Sequence, residues 1–250
     1  MATQRRGPTR SEVNRAGEKM RRIQSRISQQ GPPDDRQELA RQVYPIFAII
    51  LLFRAVHQYP LAKATMGLRS VVKSEHCRVE VSQRLKRFNT ILDKLEREPN
   101  MALSTMQDIG GCRAVLDSID EVRRVEQRLR KNRAPLRVDD YITKPRSSGY
   151  RAVHVVVSYE DREREGRRIE VQLRTRTMHE WAIAVERLGG RLRQDLKSGS
   201  GPPEVLDWLR AISEAMAIEE LGGTVAQDRI ERLQVLRALA VPFLTGDKPR

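Results

Sequence analysis

Four short segments rich in Val, Ile and Tyr lie between residues 112 and 175, and they constrain the fold more than any other feature of the chain. Such segments are typical of β-strands. A helical pattern follows the first segment and another follows the last, so the predicted order is β-α-β-β-β-α. We therefore expect an α+β (α/β) fold, with a mixed central sheet of about five strands flanked by helices. The predicted strands are 112–116, 138–142, 152–159 and 168–175, and the predicted helices are 119–131 and 178–197.

The sequence around this centre divides the chain into three expected parts. Residues 1–33 are an Arg-rich arm, which we expect to be solvated or frayed, with contact to a phosphate backbone as the alternative. Residues 34–197 hold the central domain together with a helical lead-in, predicted at 34–58 and 61–97. After a linker of Ser, Gly and Pro, residues 204–250 are expected to form a helical extension.

The formal net charge of +14 favours polyanionic partners such as nucleotides, RNA, DNA or an acidic protein. The two cysteines, Cys77 and Cys112, belong to no CxxC pair, which argues against a disulfide framework and a cysteine-based zinc site. The longest apolar run, Tyr44 to Phe53, is about half of the roughly 20 residues that a membrane-spanning helix needs. We interpret this run as a buried helix and expect a cytoplasmic protein without a membrane span.

The last predicted strand alternates apolar and polar residues over 169–174. Because side chains in a strand alternate with a period of two, Glu170, Gln172 and Arg174 share one face. One interpretation is a surface strand whose polar face lies in water. The other is a row of acid, amide and guanidinium that faces a cleft, where it would hold a metal, a base and a phosphate.

Asp108 is a second acid of interest because it precedes a predicted strand and is followed by Gly110-Gly111. Glycines allow the backbone to turn tightly or to approach a ligand. An ordinary turn is the alternative interpretation. Two carboxylates from separate strands can share a Mg²⁺ ion, so Asp108 and Glu170 are the candidate metal ligands.

The loop 144–150 combines cations, hydroxyls, a glycine and an aromatic residue between two predicted strands. Lys144 and Arg146 suit phosphates, and Tyr150 would stack on a base. A plain hairpin loop is the alternative, and the chain contains no Walker P-loop motif. His154 follows on the next strand, where a partly buried histidine is the default interpretation.

A basic set directly precedes Asp108 in the stretch 81–97, which we expect to be helical. Such charges usually belong to a solvated helix face. Their position would also let a nucleoside triphosphate bridge this set and Asp108. The residues are Arg84, Lys86, Lys94 and Arg97.

Together these motifs resemble the synthetase domain of the RelA/SpoT-type alarmone synthetases, especially the small single-domain members. The resemblance covers about residues 75–190, and four motifs follow one another in the family's order. The motifs are Arg84-x-Lys86 with Lys94 and Arg97, Asp108–Arg113 (DIGGCR), Asp140–His154 (DYITKPRSSGYRAVH) and Glu170–Thr175 (EVQLRT), and MHEWA at 178–182 continues the likeness.

The resemblance implies a nucleotidyltransferase-like synthetase domain that transfers the β,γ-pyrophosphate of ATP to a ribose 3′-hydroxyl. By motif match, Asp108 and Glu170 would hold Mg²⁺, and Glu170 would also take the proton of the acceptor hydroxyl. The predicted ATP-binding residues are Arg84, Lys86, Lys94, Arg97 and Arg113. The predicted acceptor-binding residues are Lys144, Arg146, Tyr150, His154, Gln172 and Arg174, with Tyr150 stacked on the acceptor base.

Two departures from the family leave the acceptor open. The loop reads KPRSSGY where many members carry a second Lys and an Asn, and the next strand reads RAVH rather than RSLH. The first hypothesis is synthesis of guanosine tetra- or pentaphosphate, (p)ppGpp, from ATP and GDP or GTP. The second is a toxin that pyrophosphorylates the 3′-terminal adenosine of tRNA. The third is a basic RNA-binding module with a degenerate site.

Further expectations concern regulation and partners. The hydrolase domain of the long family members is expected to be missing, because the chain is short and lacks the His-Asp signature of that domain. The expected partners are ATP with GDP or GTP, and the alternatives add tRNA. An acidic antitoxin protein would suit the basic chain. A second copy would pair through the helices after Pro203.

Overall fold

A five-stranded mixed sheet forms the centre of the molecule in the computed structural model, which describes residues 7–245. The strand order is β1-β2-β5-β4-β3. Strands β2 and β5 run parallel, and every other neighbouring pair is antiparallel. The predicted fold class is thus confirmed. The strands are β1 (Glu80–Leu85), β2 (Gly110–Leu116), β3 (Arg137–Asp140), β4 (Val153–Glu160) and β5 (Gly166–Thr175).

Eight α-helices surround the sheet within residues 7–245. Short polar residues cap several of them, as at Ser118, whose hydroxyl accepts from the backbone N–H of Glu121. The helices are α1 (Arg10–Gln30), α2 (Arg36–Val56), α3 (Gln58–Ser74), α4 (Phe88–Arg97), α5 (Ile119–Asn132), α6 (Arg176–Leu192), α7 (Pro203–Glu220) and α8 (Gln227–Thr245). Two short 3₁₀ helices, Leu103–Thr105 and Leu196–Ser198, complete the set.

The two faces of the sheet have different surroundings. One face carries an aliphatic core, to which β2 contributes Cys112 and Ala114 and β5 contributes Val171 and Leu173. Helices α3 and α5 cover this core. Since strand residues alternate, the polar row of β5 lies on the opposite face, away from α3 and α5.

Strand β1 is an element that the sequence prediction missed. The predicted helix at 61–97 is in fact α3, then β1, then α4. Arg84 and Lys86 therefore lie on or just after an edge strand, not on a helix. The six residues of β1 include only two apolar side chains, Val81 and Leu85, which pack on the core beneath the sheet. An edge strand this polar has the same composition as a solvated helix, which explains the wrong assignment.

The expected solvated arm at 1–33 is wrong for residues 10–30, which form α1. Thr9 and Glu12 cap this helix reciprocally, and its residues Val13, Ala16 and Met20 are buried. They belong to a second core shared with α2 and α4. Residues 1–6 of the predicted arm, including Arg5 and Arg6, lie outside the described residues.

Helix α2 is apolar but is not buried on all sides as predicted. Ile46, Ile50 and Phe53 are buried in the second core, whereas Leu51 is 47% exposed and Leu52 is 37% exposed. By length and composition alone, the helical stretch 36–74 could cross a membrane. Its most apolar window of 18 residues has a mean hydropathy of 1.6, and 17% of that window is buried. Its two helices pack in different cores, α2 in the second core and α3 beneath the sheet. We therefore keep the prediction of a chain without a membrane span.

Helices α6, α7 and α8 form a third core on the polar side of the sheet. Trp181 of α6, Leu209 of α7 and Ala240 of α8 pack there around Tyr150. The helices predicted after Pro203 are thus joined to the central domain by a shared core.

Candidate active site

The strand register brings the two candidate acids to one cavity. Gly111 of β2 lies opposite Glu170 of β5, and Asp108 comes two residues before β2 begins. A Cβ atom at Gly110 would lie 2.8 Å from Cδ1 of Ile169, so a larger residue there would require the end of that side chain to move. Asp108 and Glu170 both line a cavity of about 180 Å³ at the polar face of the sheet. Arg84, Lys86, Arg113 and Gln172 also line it.

Two lysines hold Asp108. Lys86 Nζ lies 2.9 Å from Oδ2 and Lys94 Nζ lies 3.1 Å from Oδ1. Helix α4 positions Lys94 because Ile91 and Leu95, on the adjoining side of the helix, are buried in the second core. Burial raises the pKa of Asp108, but the two ammonium groups lower it more, and the net shift is downward. Asp108 is therefore an ionised carboxylate at neutral pH.

Glu170 belongs to a closed ring of hydrogen-bonded side chains that we call the Glu170 network. Its Oε1 lies 3.0 Å from Nδ1 of His154, and its Oε2 accepts from Nε2 of Gln172 at 2.5 Å. Tyr150 OH lies 2.6 Å from Nε2 of His154. Arg174 Nη2 closes the ring, since it donates to Tyr150 OH at 2.7 Å and to Gln172 Oε1 at 2.9 Å.

His154 lies between Glu170 and Tyr150 in the Glu170 network. Its Nδ1–H donates to the ionised Glu170 carboxylate, which can only accept. Its Nε2 and the Tyr150 hydroxyl share a hydrogen bond, and that hydroxyl also accepts from Arg174. His154 thus orients the carboxylate and is itself held by Tyr150.

The pKa of Glu170 lies well below its usual range. Burial raises this pKa, but the interaction with His154, the N–H of Gln172 and the charge of Lys94 together lower it more. The carboxylate is thus ionised. Each of its oxygens accepts one hydrogen bond from the network, which leaves a lone pair on each oxygen for a further donor or a cation.

The predicted stacking role of Tyr150 is wrong for this conformation. Its side chain is 0% exposed and packs 6.4 Å from the ring of Trp181. Burial raises the pKa of its hydroxyl to about 12, so the group stays protonated within the network. Arg174 is likewise only 1% exposed, so neither residue presents a surface to an acceptor.

The other predicted acceptor residues are divided between the Glu170 network and the loop. His154 is buried and Gln172 is bonded at both ends of its amide, so both orient Glu170. Arg146 lies over the ring of Tyr141, 4.5 Å from its centroid. Lys144 is exposed, and no ion pair within residues 7–245 includes it.

Among the predicted ATP-binding residues, Arg97 lies outside the cavity and forms an ion pair with Asp195. Arg113 lies near Arg174, Arg84 and Glu186, and its Nε is buried without a partner. Burial and these neighbouring cations lower the pKa of Arg113. The Nε–H of Arg113 thus lacks an acceptor among the described residues.

Three charged or polar residues that the sequence did not predict as site residues lie beside the Glu170 network. Lys197 follows α6 on the short 3₁₀ helix, with its Nζ 2.9 Å from Oε1 of Glu186. His179 lies at the start of α6, and its Nδ1 is buried without a partner. Glu186 and His179 stand in an ordinary amphipathic helix, and Lys197 stands beside a linker. His179 belongs to the MHEWA motif at 178–182, which assigned it no role, and no local pattern distinguished Glu186 or Lys197.

The cavity fits a Mg²⁺ ion by the chemistry of its donors. Asp108 and Glu170 are ionised and offer oxygen ligands, which Mg²⁺ prefers. Within residues 7–245 no group of three or more His, Cys, Asp or Glu could hold a metal by itself. The protein would therefore supply two carboxylates, and phosphate oxygens and water the remaining ligands.

The comparisons with known proteins agree on one family. Residues 83–187 match the model of a region found in RelA/SpoT proteins. The GTP pyrophosphokinase YjbM of Bacillus subtilis (strain 168) is 33% identical over 159 residues, which is 60% of this chain and 73% of that relative. The GTP pyrophosphokinase of Escherichia coli (strain K12) is 27% identical over 176 residues. That match covers 65% of this chain but only 23% of the longer relative.

Among solved structures, the small alarmone synthetase 1 of Bacillus subtilis, bound to its product pppGpp, is similar with a TM-score of 0.59 and 26% identity. The superposition covers 68% of this chain and 92% of that chain. The likeness thus extends over nearly the whole of the smaller protein.

Proposed function

The chain belongs to the RelA/SpoT family, and from this premise we propose that it is an ATP-dependent pyrophosphokinase. It transfers the β,γ-pyrophosphate of ATP to the ribose 3′-hydroxyl of GDP or GTP and so makes (p)ppGpp. The names of the two relatives and the product bound to the solved structure support a guanine nucleotide as the acceptor.

One observation carries this proposal: Asp108 and Glu170, 62 positions apart in the chain by their numbers, line the same cavity beside four basic side chains. Two ionised carboxylates in a basic cavity suit a reaction between polyphosphates. The basic side chains are Arg84, Lys86, Lys94 and Arg113.

These cations bind the triphosphate of ATP. Phosphoryl-type transfer asks the protein mainly to position the reactants and to offset charge on the transferred group. Lys86 and Lys94 come from different elements and converge on Asp108, so they hold the phosphates near the acid. Asp108 and Glu170 would hold Mg²⁺, which when bound would neutralise phosphate charge and polarise the transferred group.

Glu170 is the general base. The 3′-oxygen of the acceptor attacks the β-phosphorus of ATP, the bond from that phosphorus to the oxygen of AMP breaks, and AMP leaves. The proton of the 3′-hydroxyl moves to a free lone pair of the Glu170 carboxylate. His154 and Gln172 fix the orientation of that carboxylate, and Tyr150 and Arg174 fix them in turn.

We propose that residues 34–197 carry this activity and that residues 204–250 are an extension to them. The packing of α1 on α2 and α4 joins residues 10–30 to the same body. A cytoplasmic location, an acidic partner protein and a second copy paired through the last helices stay predictions.

An acceptor assay tests the function. The protein is incubated with ATP labelled on its γ-phosphate, Mg²⁺, and GDP, GTP or deacylated tRNA. We expect label in the guanine nucleotide, at the 3′ position. Label in tRNA alone would contradict the proposal in favour of the toxin hypothesis. RNA binding without any transfer would favour the RNA-binding module.

A further inference from the structure

The 3₁₀ helix at 196–198 joins the two nucleotide sides of the site. Asp195, just before it, forms an ion pair with Arg97 of α4, on the side that we assign to ATP. On the other side, the hydroxyl of Ser148 in the loop 144–150 donates to the backbone carbonyl of Lys197 at 2.8 Å. The backbone that carries Lys197 is therefore held from both directions.

The side chain of Lys197 points from this helix toward the Glu170 network. Its Nζ lies 4.8 Å from the centroid of the Tyr150 ring and 2.9 Å from the Glu186 carboxylate. Only 21% of the side chain is exposed. A lysine that merely solubilises the surface does not bury its ammonium group between a tyrosine and a carboxylate.

The charged groups that act on Lys197 are two cations and one acid. Burial and the nearby Arg174 and Arg84 lower the pKa of Lys197 to about 8, and Glu186 is the acid that opposes them. Arg113, which lies near the same Arg174, Arg84 and Glu186, has its Nε–H buried without a hydrogen-bond partner. A buried donor without an acceptor costs free energy, and an anion with several oxygen atoms would satisfy it together with Lys197.

We propose that Lys197 binds the 5′-polyphosphate of the acceptor nucleotide. This inference rests on the proposed function and adds a residue to it. The phosphate oxygens would take the place of Glu186 as the partner of the ammonium group. Lys197 is assigned to the acceptor because it contacts Tyr150 and Ser148 of the loop 144–150, whereas Lys86 and Lys94 converge on Asp108.

Lys197→Gln tests the proposal. Steady-state kinetics should show a KM for GDP or GTP about tenfold higher, because a charge-assisted hydrogen bond to phosphate is lost. The KM for ATP and kcat should stay within about twofold. Lys197→Arg should restore most of the acceptor affinity. Lys131→Gln, on the exposed side of α5, is the matched control and should change neither KM.

A binding measurement without ATP separates this role from a structural one. Calorimetry should show that wild-type protein prefers GDP over GMP and that Lys197→Gln loses most of this preference. An unchanged GDP to GMP ratio would overturn the proposal, as would an equal rise of both KM values. These outcomes require an active wild-type enzyme. Failure of the proposed function would instead appear as wild-type protein that transfers no label to GDP or GTP.

Discussion

Glu170 shows what can be predicted from residues and what depends on the rest of the fold. The alternation over 169–174 correctly placed Glu170, Gln172 and Arg174 on one face. The same pattern could not predict that Tyr150 would be buried, because Leu209 and Ser213, which cover it and its neighbour, come some 60 residues later. The stacking role of Tyr150 was inferred from its residue type alone. In the fold its ring is buried, and its hydroxyl forms hydrogen bonds within the Glu170 network.

Tyr150→Phe tests the Glu170 network at the level of one atom. It removes the hydroxyl that joins His154 to Arg174, so the buried Nε2 of His154 loses its partner and Arg174 Nη2 keeps only Gln172. We expect a loss of about 1–3 kcal/mol in the free energy of unfolding. We also expect kcat to fall about tenfold, as for loss of a group that orients a general base. Urea unfolding and steady-state kinetics measure the two effects.

Tyr44→Phe is the control for that experiment, since Tyr44 is 70% exposed and lies outside the network. If Tyr150→Phe behaved like Tyr44→Phe in both measurements, the Glu170 network would have no role in stability or catalysis.

His57 predicts a pH dependence of stability. It is 2% exposed at the junction of α2 and α3, and burial lowers its pKa to about 4, opposed in part by the carbonyl of Phe53. The unfolded chain, with an ordinary pKa of about 6.5, binds a proton between pH 4 and 6.5 that the folded chain does not. The contribution of His57 is therefore complete above about pH 6.5 and is lost as the pH falls toward 4.

Urea unfolding at several pH values measures this effect. The full loss is about 3 kcal/mol, from the size of the pKa difference. His57→Gln should flatten the pH dependence over this range, and His76→Asn, at an exposed position, should leave it in place. Equal slopes for wild type and His57→Gln would show that other groups cause the acid sensitivity.

At the scale of elements, sequence patterns succeeded where a segment's own residues decide its structure. The strands β2, β3, β4 and β5 and the helix α5 were predicted to within two residues of their bounds, α6 was predicted to within five, and α7 and α8 fall in the expected helical extension. Strand β1 was missed because its conformation depends on pairing with β2, and its polar residues suit either structure. Lys197 was missed for a related reason, since only folding brings its short helix to the loop 144–150.

Helix α7 clamps the loop 144–150. Its Ser213 hydroxyl donates to the carbonyl of Gly149 at 2.6 Å, and Arg210 Nε donates to the carbonyl of Ser147 at 2.8 Å. Gly149 has a φ of 87°, and a Cβ there would lie 2.9 Å from Cα of Arg210. Helix and loop are thus in close contact, and α7 positions the loop that we assign to the acceptor.

Ser213→Ala tests this clamp. The substitution leaves the buried Gly149 carbonyl without its donor, so we expect the free energy of unfolding to fall by about 1–3 kcal/mol. A looser loop should raise the KM for the acceptor more than the KM for ATP. Ser28→Ala, on the exposed side of α1, is the control. Unaltered stability and KM values would mean that α7 only covers the loop.

At the scale of the whole molecule, the cavity lies where separately packed parts meet on the polar face of the sheet. The second core positions α4 and hence Lys94, and the third core positions Tyr150 and the Glu170 network. The sheet itself supplies Glu170 and the start of β2. Composition predicted a partner with negative charge from the net charge of +14, but it could not indicate where the charges converge. That convergence depends on the strand order, in which β2 and β5 are neighbours.

The central claim is that Asp108 and Glu170 act together in one active site. The rate of single-turnover transfer from labelled ATP tests this claim most directly. We expect Asp108→Asn and Glu170→Gln each to slow transfer to GDP or GTP at least about a thousandfold, with the double variant little worse, because the two acids act as one unit. Asp93→Asn, an exposed acid on α4, should react like wild type. A folded Asp108→Asn or Glu170→Gln protein that kept a tenth or more of the wild-type rate would contradict the account.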